Sequence, residues 1–421
     1  MSGRIRKLSL WEPLAKRPFK LLFFGQGASL LADQFFLVVL TLLALRVAGP
    51  GLELGAVLAV AAVPGAILMP LGGWASDRFP PATILVLSNT GRAALVALFG
   101  ILVFLDNTQL WHLYVLAGGL GVLDALHYPA SLSIVPAFVE KEELEAANAL
   151  VQGSEQVSSM VGPALAAGVV AAVGLGSAFS LNAICFLGAA VIFWVVARPG
   201  RSREASRSLD AAQEMLDLTG PGSGPLASIV EGMKYAWKDT AIRAMLFGLA
   251  AINVAAVGPV VVGGALLAEE RFGGSGAFGV LLSAFGGGSL LGVIGAGSLG
   301  RQRRRGIKFL GSSALLGFAL AALGFAQSLL VAAVVAAAMG VAAGYLGVVL
   351  VAWMQERVEE RFQGRIMSLV VLAVVALDPL SYALAGVMTE IGIEALFVSA
   401  GALMLLSVLA GTASRTVRTL D

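Results

Sequence analysis

Apolar runs of about 20 residues recur along the whole chain, separated by shorter polar connections. A run of this length crosses the hydrocarbon core of a bilayer as one helix. Six such spans are predicted in the first half, at residues 21–45, 54–76, 82–105, 113–138, 148–173 and 177–197. Six more are predicted at residues 241–267, 277–299, 307–326, 329–353, 366–388 and 393–413. The pattern therefore predicts an all-α membrane protein with twelve transmembrane helices in two sets of six.

The composition agrees with a membrane protein. Of the 421 residues, 58% are hydrophobic and 13% are charged, and the mean hydropathy of +0.88 lies far outside soluble usage. The 52 glycines allow close helix packing where lipid supplies no hydrophobic drive. Cys185 is the only cysteine, which excludes an intrachain disulfide and multi-cysteine metal clusters. The first apolar run is too long for a signal peptide, so we expect it to be retained as a helix.

Basic residues are concentrated on one side of the predicted spans. They precede the first span, lie between spans eight and nine, and follow the last span: Arg4, Arg6, Lys7, Lys16, Arg17, Lys20, Arg301, Arg303, Arg304, Arg305, Lys308, Arg415 and Arg418. The opposite side carries Arg46 and Arg271. Because positive charge marks the cytoplasmic side, we expect both termini to be cytoplasmic.

One long polar segment, from Arg198 to about Ser228, divides the two sets of spans and is predicted to be a linker. After it, apolar residues recur at helical spacing from Ile229 to Trp237. This pattern fits either an amphipathic helix on the inner membrane surface or a short solvated helix leading into span seven. The predicted domains are an N-terminal six-helix bundle at 1–198, a cytoplasmic linker at 199–240 and a C-terminal six-helix bundle at 241–421.

Four charged side chains interrupt the apolar runs near their middle: Asp33, Arg92, Asp124 and Asp378. At a rise of 1.5 Å per residue, each lies roughly 15 to 18 Å into its span. A charge there costs about 2.5 to 3.5 kcal/mol on insertion scales unless it is paired, protonated or facing a wet cavity. We predict that Arg92 pairs with Asp124 or Asp33, and that the less well compensated aspartate carries a transported proton.

Each of these residues also has a purely structural interpretation. Asp33 fits a solvated carboxylate that only wets a cavity, and Arg92 with Asp124 fits a structural ion pair. Asp378 precedes Pro379, so it also fits backbone repair at a helix bend. The sequence alone leaves these alternatives open.

Polar side chains recur at helical spacing in spans one and four. They are Gln26, Ser29 and Asp33 in the first, and Asp124, His127, Tyr128 and Ser131 in the second. Because such groups avoid lipid, both faces are expected to line one cavity. His127 fits either a proton relay or a hydrogen-bonded wall residue. A metal site made by Asp33, Asp124 and His127 would require a convergence that linear spacing does not show.

Aromatic and amide residues at inward positions predict a substrate pocket. With Gln26 and His127 from the polar stripes, they are Phe36, Tyr128, Asn253, Phe285, Tyr345 and Tyr382. Each of them, taken alone, also fits ordinary packing. A sugar or nucleotide site would need denser polar or basic positions, so we expect a lipophilic cargo that is cationic if it is charged.

The connection after span two, GGWASDR at residues 72–78, resembles the signature of the major facilitator superfamily between its second and third helices. In that family a glycine allows tight packing and an Asp–Arg pair helps to latch the cytoplasmic gate. The resemblance assigns gating roles to Gly73, Asp77 and Arg78. Residues 80–82, Pro-Pro-Ala, depart from the family's glycine and basic residues, which implies a weaker or differently partnered latch.

Span five contains Gly153, Gly162, Pro163 and Gly168, which resemble the antiporter motif of exporters in this family, although alanines at 166–167 replace its final glycine pair. The resemblance favours export and gives gating roles to Gly162 and Pro163. Proline removes a helix hydrogen bond, and glycine offers a smooth surface to a neighbour. The same residues also fit ordinary plasticity in a packed membrane helix.

Three shorter segments resemble the bacterial branch that includes macrolide efflux pumps and enterobactin exporters. They are FKLLFFGQGASLLAD at 19–33, EAANALVQ at 145–152 and QGRIMS at 363–368. This resemblance implies two six-helix bundles around a central cavity, in the cytoplasmic (inner) membrane of a bacterium. It also implies alternating access, powered by a proton gradient with no cofactor.

The expected function is therefore secondary active transport: proton-coupled efflux of lipophilic or amphipathic small molecules, as in a multidrug or antibiotic exporter. The expected partners are this substrate, protons and membrane lipids, with no nucleic acid and a monomeric chain. No Walker loop, metalloprotease helix or nucleophile elbow is present in the sequence, so an enzyme is not expected. The alternatives are a lipid, lysophospholipid or siderophore translocator, a divalent-metal exporter, and a non-transporting membrane receptor.

Overall fold

The computed structural model describes residues 11–140, 143–197, 233–298, 305–358 and 376–413, together with positions 362, 366, 369, 370, 373 and 374. Within these residues every regular element is helical. Arg4, Arg6 and Lys7, most of the predicted linker, the Arg301–Arg304 run, Arg415, Arg418 and most of the QGRIMS segment lie outside the described residues.

The first half is built from five helical stretches. They are α1 (Arg17–Ala48), α2 (Leu52–Arg78), α3 (Pro81–Phe104), α4 (Leu110–Ser133) and α5 (Leu144–Val196). Short 3₁₀ turns precede α1 at Glu12–Ala15 and follow α4 at Val135–Ala137. The 53-residue α5 is interrupted at Gly174, which has φ 81° and ψ 171°. Only glycine adopts such angles without strain, so α5 turns there and its two limbs match predicted spans five and six.

The second half begins with α6 (Thr240–Gly258), which passes through a π-helical turn at Pro259–Gly263 into α7 (Gly264–Phe272). The remaining helices are α8 (Ser275–Ser298), α9 (Arg305–Leu323), α10 (Leu329–Arg357), α11 (Asp378–Ile391) and α12 (Ile393–Ala413). Pro259 has no backbone N–H and therefore cannot continue the α-helical ladder. The π turn lies where that bond is missing, and α6 and α7 together form predicted span seven.

Nine helical stretches within the described residues are long and apolar enough to cross a membrane. One of them, Ala146–Val196, contains two predicted spans. Helix α4 covers most of predicted span four but is not among the nine. Helix α11 forms the end of predicted span eleven, whose first part is described only at isolated positions. The all-helical membrane architecture is thus confirmed, while the count of twelve stays a prediction.

Helix α2 packs against α4 through glycines. A Cβ added at Gly72 would lie 1.9 Å from the Ala125 carbonyl oxygen, and one added at Gly121 would lie 2.1 Å from the Ala61 carbonyl oxygen. By contrast, a Cβ added at Gly73 meets no heavy atom within 4 Å. The close approach assigned to Gly73 from the signature is therefore made by its neighbour Gly72, because the rotation of α2 turns Gly72 toward α4.

The two halves meet along two helix pairs, α5 with α8 and α2 with α11. A Cβ added at Gly279 of α8 would lie 2.8 Å from the Pro163 carbonyl oxygen, and one added at Gly286 would lie 2.5 Å from that of Ser159. On the other pair, Gly55 and Gly386 lie backbone to backbone. The Gly55–Gly386 contact lies toward the end of the bundle where α2 begins and α11 ends, which the charge pattern predicts to be non-cytoplasmic. The α5–α8 contact extends to the middle of both helices.

At the opposite end, ion pairs tie helices together within each half. Lys16 Nζ lies 2.6 Å from Glu143 Oε2 and 2.9 Å from Glu140 Oε1. The hydrogen bond from Lys16 lowers the pKa of Glu143, and the same bond raises the pKa of Lys16. In the second half, Arg357 Nε lies 2.8 Å from Asp239 Oδ2, so the end of α10 is joined to the start of α6.

Candidate functional site

A cavity of about 570 Å³ lies between the two halves, within the range of small-molecule sites. Its walls come from α1, α2, α3, α4, the first limb of α5, and α11. The polar lining residues are Gln26, Asp33, Gln34, Arg92, Asp124, His127, Tyr128, Ser131, Gln152, Glu155, Asp378 and Tyr382. The buried polar constellation expected from the sequence therefore faces one chamber rather than separate crevices.

Arg92 of α3 contacts both carboxylates that were considered as its partner. Its Nη2 lies 2.5 Å from Asp124 Oδ1, and its Nη1 lies 3.2 Å from Asp33 Oδ1. The Arg92 side chain is 3% exposed, whereas those of Asp33 and Asp124 are 36% and 54% exposed. A buried guanidinium without a countercharge is strongly destabilising. One cation is thus shared between two acids on two other helices, and the cluster carries one excess negative charge when both are ionised.

The position of Arg92 is further fixed by its surroundings. Its guanidinium carbon lies 5.6 Å from the centre of the Phe186 ring on α5, a distance compatible with a cation–π contact. Its Nη1 also lies 3.5 Å from the Ser29 hydroxyl of α1. Arg92 Nε is buried and has no hydrogen-bond partner among the described residues. The two carboxylates therefore carry most of the compensation of this charge.

His127 of α4 lies in a buried hydrogen-bond network with α1 and α3. The Ser29 hydroxyl donates to Asn89 Oδ1 at 2.9 Å, and Asn89 Nδ2 donates to the Leu85 carbonyl at 2.8 Å. The same amide nitrogen lies 3.4 Å from His127 Nδ1, and Ser29 Oγ lies 3.5 Å from His127 Nε2. Because the single Ser29 proton points to Asn89, its oxygen is free to accept from His127 and from Arg92. His127 Nδ1 also lies 3.1 Å from the Ser88 hydroxyl, so both ring nitrogens face hydrogen-bonding groups of α1 and α3.

The predicted substrate residues separate into two groups. Gln26, Phe36, His127, Tyr128 and Tyr382 line the central cavity. The other three do not line it: Asn253, Phe285 and Tyr345. Their inward position was expected from span numbering alone, which does not fix how each helix faces its neighbours.

Each of these three residues has a definite place. The backbone nitrogen of Tyr345 would lie 2.9 Å from a Cβ added at Gly292, so this residue belongs to the α8–α10 contact. Asn253 is 7% exposed and hydrogen bonds to the Asp378 carboxyl. Phe285 lines a second cavity of about 360 Å³ between the halves.

The second cavity adjoins the first. Both are lined by Gln34, Leu37, Glu155 and Tyr382. The second is otherwise mostly apolar, with walls from α6, α8 and the first limb of α5. The Ser289 hydroxyl of α8 donates to Gln156 Oε1 of α5 at 3.2 Å, a hydrogen bond between the two halves. The pair of cavities thus offers a polar compartment on the first half and an apolar one beside it.

Asp378 is the first residue of α11 and lines the central cavity from the second half. Its neighbour Leu377 has φ −97° and ψ −10°, and residues 376–377 form a turn. The bend expected before Pro379 is present at this turn. Asp378 Oδ1 is buried and has no hydrogen-bond partner among the described residues. This oxygen therefore does not accept a hydrogen bond from the backbone at the bend.

Glu155 is a cavity residue that our sequence analysis missed. It lies on α5 about 16 Å from the start of that helix, by the rise per residue, and it lines both cavities. It makes no ion pair with any described residue. The signal was present in the sequence, because Gln152, Glu155, Gln156 and Ser159 repeat at helical spacing.

The predicted gating residues lie at two places. Arg78 is at the end of α2, with its guanidinium carbon 4.8 Å from the centre of the Trp74 ring. The Asp77 backbone is helical there, and its side chain lies outside the described part. Gly162 faces α1, since an added Cβ would lie 2.6 Å from Gln34 Cβ, while the Pro163 carbonyl faces α8. The structure therefore brings α1, α5 and α8 together at Gly162 and Pro163.

The sequence profile of the Major Facilitator Superfamily matches residues 22–377. The chain belongs to this superfamily. The match contains most of α1 and all of α2 to α10, and therefore the shared Arg92 site and the glycine contacts between α5 and α8. Family membership makes the chain a membrane transporter by fold and lineage.

Superfamily relatives are similar over nearly the whole chain. Macrolide efflux protein A of Streptococcus pyogenes is 24% identical over 419 residues, which cover 96% of this chain and 98% of the relative. An uncharacterised MFS-type transporter of Bacillus subtilis is 27% identical over 403 residues, 91% of this chain and 89% of the relative.

Solved transporter structures share the fold. A peptide transporter of the POT family, solved in complex with sulfate, superposes with a TM-score of 0.72 at 14% identity. The superposition covers 98% of this chain and 100% of that one. At this identity the likeness concerns the arrangement of helices and not the cargo.

Proposed function

We propose that this transporter exports amphipathic small molecules in exchange for protons. The observation that carries the proposal is the sharing of Arg92 by Asp33 and Asp124 inside the central cavity. A charged cluster at this depth costs free energy unless its charges are fully compensated. Charged residues in such positions are therefore usually functional. This cluster has two carboxylates and one cation, so one of the carboxylates can bind or release a proton at a small electrostatic cost.

Asp33 is the proposed proton carrier of the pair. Its contact with Arg92 is longer than that of Asp124, at 3.2 Å against 2.5 Å. It is also the less exposed of the two, so water compensates it less. When Asp33 is protonated, Arg92 and Asp124 remain as a neutral pair. When it is ionised, the cluster is negative and attracts a cation from the cavity.

The charge balance of the cavity favours a positively charged cargo. Among its described lining residues, Arg92 is the only lysine or arginine, against four carboxylates: Asp33, Asp124, Glu155 and Asp378. The adjoining apolar cavity, with Phe285, suits the hydrophobic part of the same molecule. An amphipathic compound with a protonated amine matches both compartments. The similarity to a macrolide efflux protein supports export of this kind.

Proton and cargo would act on the same equilibrium between two facing states. Protonation of Asp33 removes the negative charge that favours cationic cargo, so the two compete for one site. A ligand shifts a conformational equilibrium only by its difference in affinity for the two states. Competition at the Arg92 cluster supplies that difference, with the halves rocking about the α2–α11 and α5–α8 contacts.

The test is transport in proteoliposomes with an imposed pH gradient. Purified protein would be reconstituted with a fluorescent lipophilic cation such as ethidium as the cargo. We expect gradient-driven movement by the wild type and loss of this movement in Asp33→Asn, while cargo exchange without a gradient persists. Asp106, which lies in the α3–α4 connection, provides the matched control Asp106→Asn. Unchanged gradient-driven transport by Asp33→Asn would remove Asp33 from its role.

A further inference from the structure

A groove of about 340 Å³ lies outside the central cavity, between α6, α9 and α12 of the second half. Its lining is almost entirely apolar: Ala244, Met245, Phe247, Gly248, Ala251, Ile252, Phe309, Leu310, Ser313, Ser407, Val408, Ala410 and Gly411. These residues lie near the starts of α6 and α9 and the end of α12. The groove is therefore within one membrane leaflet, at the end of the bundle that the charge pattern predicts to be cytoplasmic.

The corresponding place in the first half is filled by side chains. Gly25 lies eight residues after the start of α1, as Gly248 does after the start of α6. A Cβ added at Gly25 would lie 3.0 Å from Ile192 and 3.3 Å from Phe193, and Phe193 is fully buried. The fold thus does not require an open groove at this position.

Smaller residues at two adjacent positions distinguish the second half, because Ile192 and Phe193 of the first half correspond to Ala410 and Gly411. Phe193 lies nineteen residues after Gly174, the turn glycine before the second limb of α5. Gly411 lies nineteen residues after Gly392, the turn glycine before α12. Where the first half has a phenylalanine, the second half has no side chain. Interiors are normally close-packed, and voids of this size are few.

The mouth of the groove carries an aromatic and basic rim. The Trp237 ring lies 6.0 Å from the ring of Phe247, edge to face, and both residues are about 60% exposed. The Arg243 guanidinium carbon lies 5.6 Å from the Trp237 ring, and Lys308 directly precedes Phe309 on α9. Tryptophan and basic side chains at this level are typical of the membrane–water interface. The nearby acid Asp239 is already paired with Arg357.

One polar group inside the groove is left without a partner. Ser313 is 2% exposed, lines the groove, and its hydroxyl has no hydrogen-bond partner among the described residues. A buried hydroxyl without a partner costs about 1 to 3 kcal/mol. A ligand with an acceptor oxygen near the top of an apolar chain would satisfy it, as the ester carbonyl of a glycerolipid does.

We propose that this groove is a binding site for one anionic phospholipid of the adjacent leaflet. The phosphate lies beside Arg243 at the mouth, the lipid enters past Gly411, an ester oxygen accepts from Ser313, and an acyl chain continues along the apolar wall of α6 at Gly248 and Ile252. Charge complementarity selects an anionic headgroup over a zwitterionic one. The site is separate from the Arg92 cavity and does not depend on the proposed transport function.

Native mass spectrometry can test this proposal on the full-length protein titrated with phosphatidylglycerol and phosphatidylcholine. We expect one phosphatidylglycerol to be retained by the wild type in preference to phosphatidylcholine. Gly411→Phe copies the packing of the first half and should lose this lipid. Leu409→Phe places the same side chain two positions away, where it does not line the groove, and should retain it. Arg243→Gln should bind both lipids equally.

A second filling variant, Ala251→Leu on α6, decides the matter if Gly411→Phe does not fold into a monodisperse protein. Retention of the lipid by both filling variants would overturn the proposal. Equal retention of the two lipids by the wild type would overturn the headgroup assignment. If ethidium, and not phosphatidylglycerol, displaced the molecule that is bound in the groove, the groove would be a cargo site. This result would also contradict the proposal.

Discussion

Gly55 of α2 and Gly386 of α11 touch through their backbones, and a Cβ added at Gly55 would lie 2.5 Å from the Tyr382 carbonyl oxygen and 2.9 Å from Gly386 Cα. No side chain fits between these helices without moving them apart. Since Tyr382 also lines the central cavity, the contact seals the cavity on the side where α2 begins. Small residues of this kind allow close helix approach in membranes.

The first prediction concerns this seal. Gly386→Leu should prevent the two helices from closing and shift the protein toward the state that is open at this end. Spin labels at Leu52→Cys and Ile391→Cys, in a Cys185→Ser background, would report the distance between the start of α2 and the end of α11 by double electron–electron resonance. We expect a longer mean distance in Gly386→Leu. Gly153→Ala is the control, because its added Cβ meets no heavy atom within 4 Å. An unchanged distance distribution would contradict the assigned role.

The second prediction compares two adjacent glycines of α2. Gly72→Ala forces a methyl group against the Ala125 carbonyl, next to Asp124, and should destabilise the protein by about 1 to 3 kcal/mol. Gly73→Ala meets open space and should be neutral or stabilising by up to about 1 kcal/mol. Thermal unfolding of the two purified variants measures the difference. Equal melting temperatures would show that the α2–α4 contact is looser than described.

The third prediction concerns Asp239, whose carboxylate caps α6 by accepting from the Ala241 and Ile242 amides and pairs with Arg357. Asp239→Asn keeps a capping oxygen but loses the ion pair, and Asp239→Ala loses both. We expect melting temperatures in the order wild type, Asp239→Asn, Asp239→Ala, with the cap worth about 1 kcal/mol. A reversed order for the two variants would contradict the capping role.

At acidic pH, the wild type should lose its greater thermal stability relative to Asp239→Asn. Burial acts to raise the pKa of Asp239, but the hydrogen bonds from Arg357 and the backbone amides outweigh it, and the net pKa is lowered. A lowered folded-state pKa gives stability that is complete above the unfolded value, about 3.9, and is lost as the pH falls through the folded value. The two unfolding curves should therefore converge below about pH 4. A difference that stays constant as the pH falls well below 4 would exclude this linkage.

The fourth prediction is that Glu155 selects cargo by its charge. This prediction rests on the proposed function. Glu155→Gln should raise the KM for a lipophilic cation by about tenfold and leave a neutral cargo of similar size unaffected, because only the cation loses an unpaired carboxylate. Glu155→Asp keeps the charge and should keep most of the selectivity. Transport assays with both cargoes separate these outcomes. An equal loss for both would indicate a packing role instead.

Helical geometry explains how much of this site could be predicted from the sequence. Residue number gives height along a helix and spacing gives its face. The depth of Asp33, Arg92 and Asp124 followed from these two quantities, and the structure brings the three together. Glu155 obeyed the same pattern and was missed because its span was judged by its glycines. The functional roles of these residues stay predictions.

Other features depend on how helices rotate and tilt against one another, which spacing within one helix does not contain. The rotation of α2 decides that Gly72 rather than Gly73 meets α4. The way in which α6 and α10 face their neighbours keeps Asn253 and Tyr345 out of the wall of the central cavity. The sharing of Arg92 by two acids likewise needed three helices in place, so the sequence left open which of the two would pair with it.

The most direct test of the central claim is the number of protons exchanged at the Arg92 cluster when cargo binds. Isothermal titration of ethidium in buffers of different ionisation enthalpy gives this number for the wild type, Asp33→Asn and Asp124→Asn. We predict that the wild type releases close to one proton per cargo near its transport pH and that Asp33→Asn releases none. Proton release by Asp33→Asn equal to that of the wild type would contradict the account.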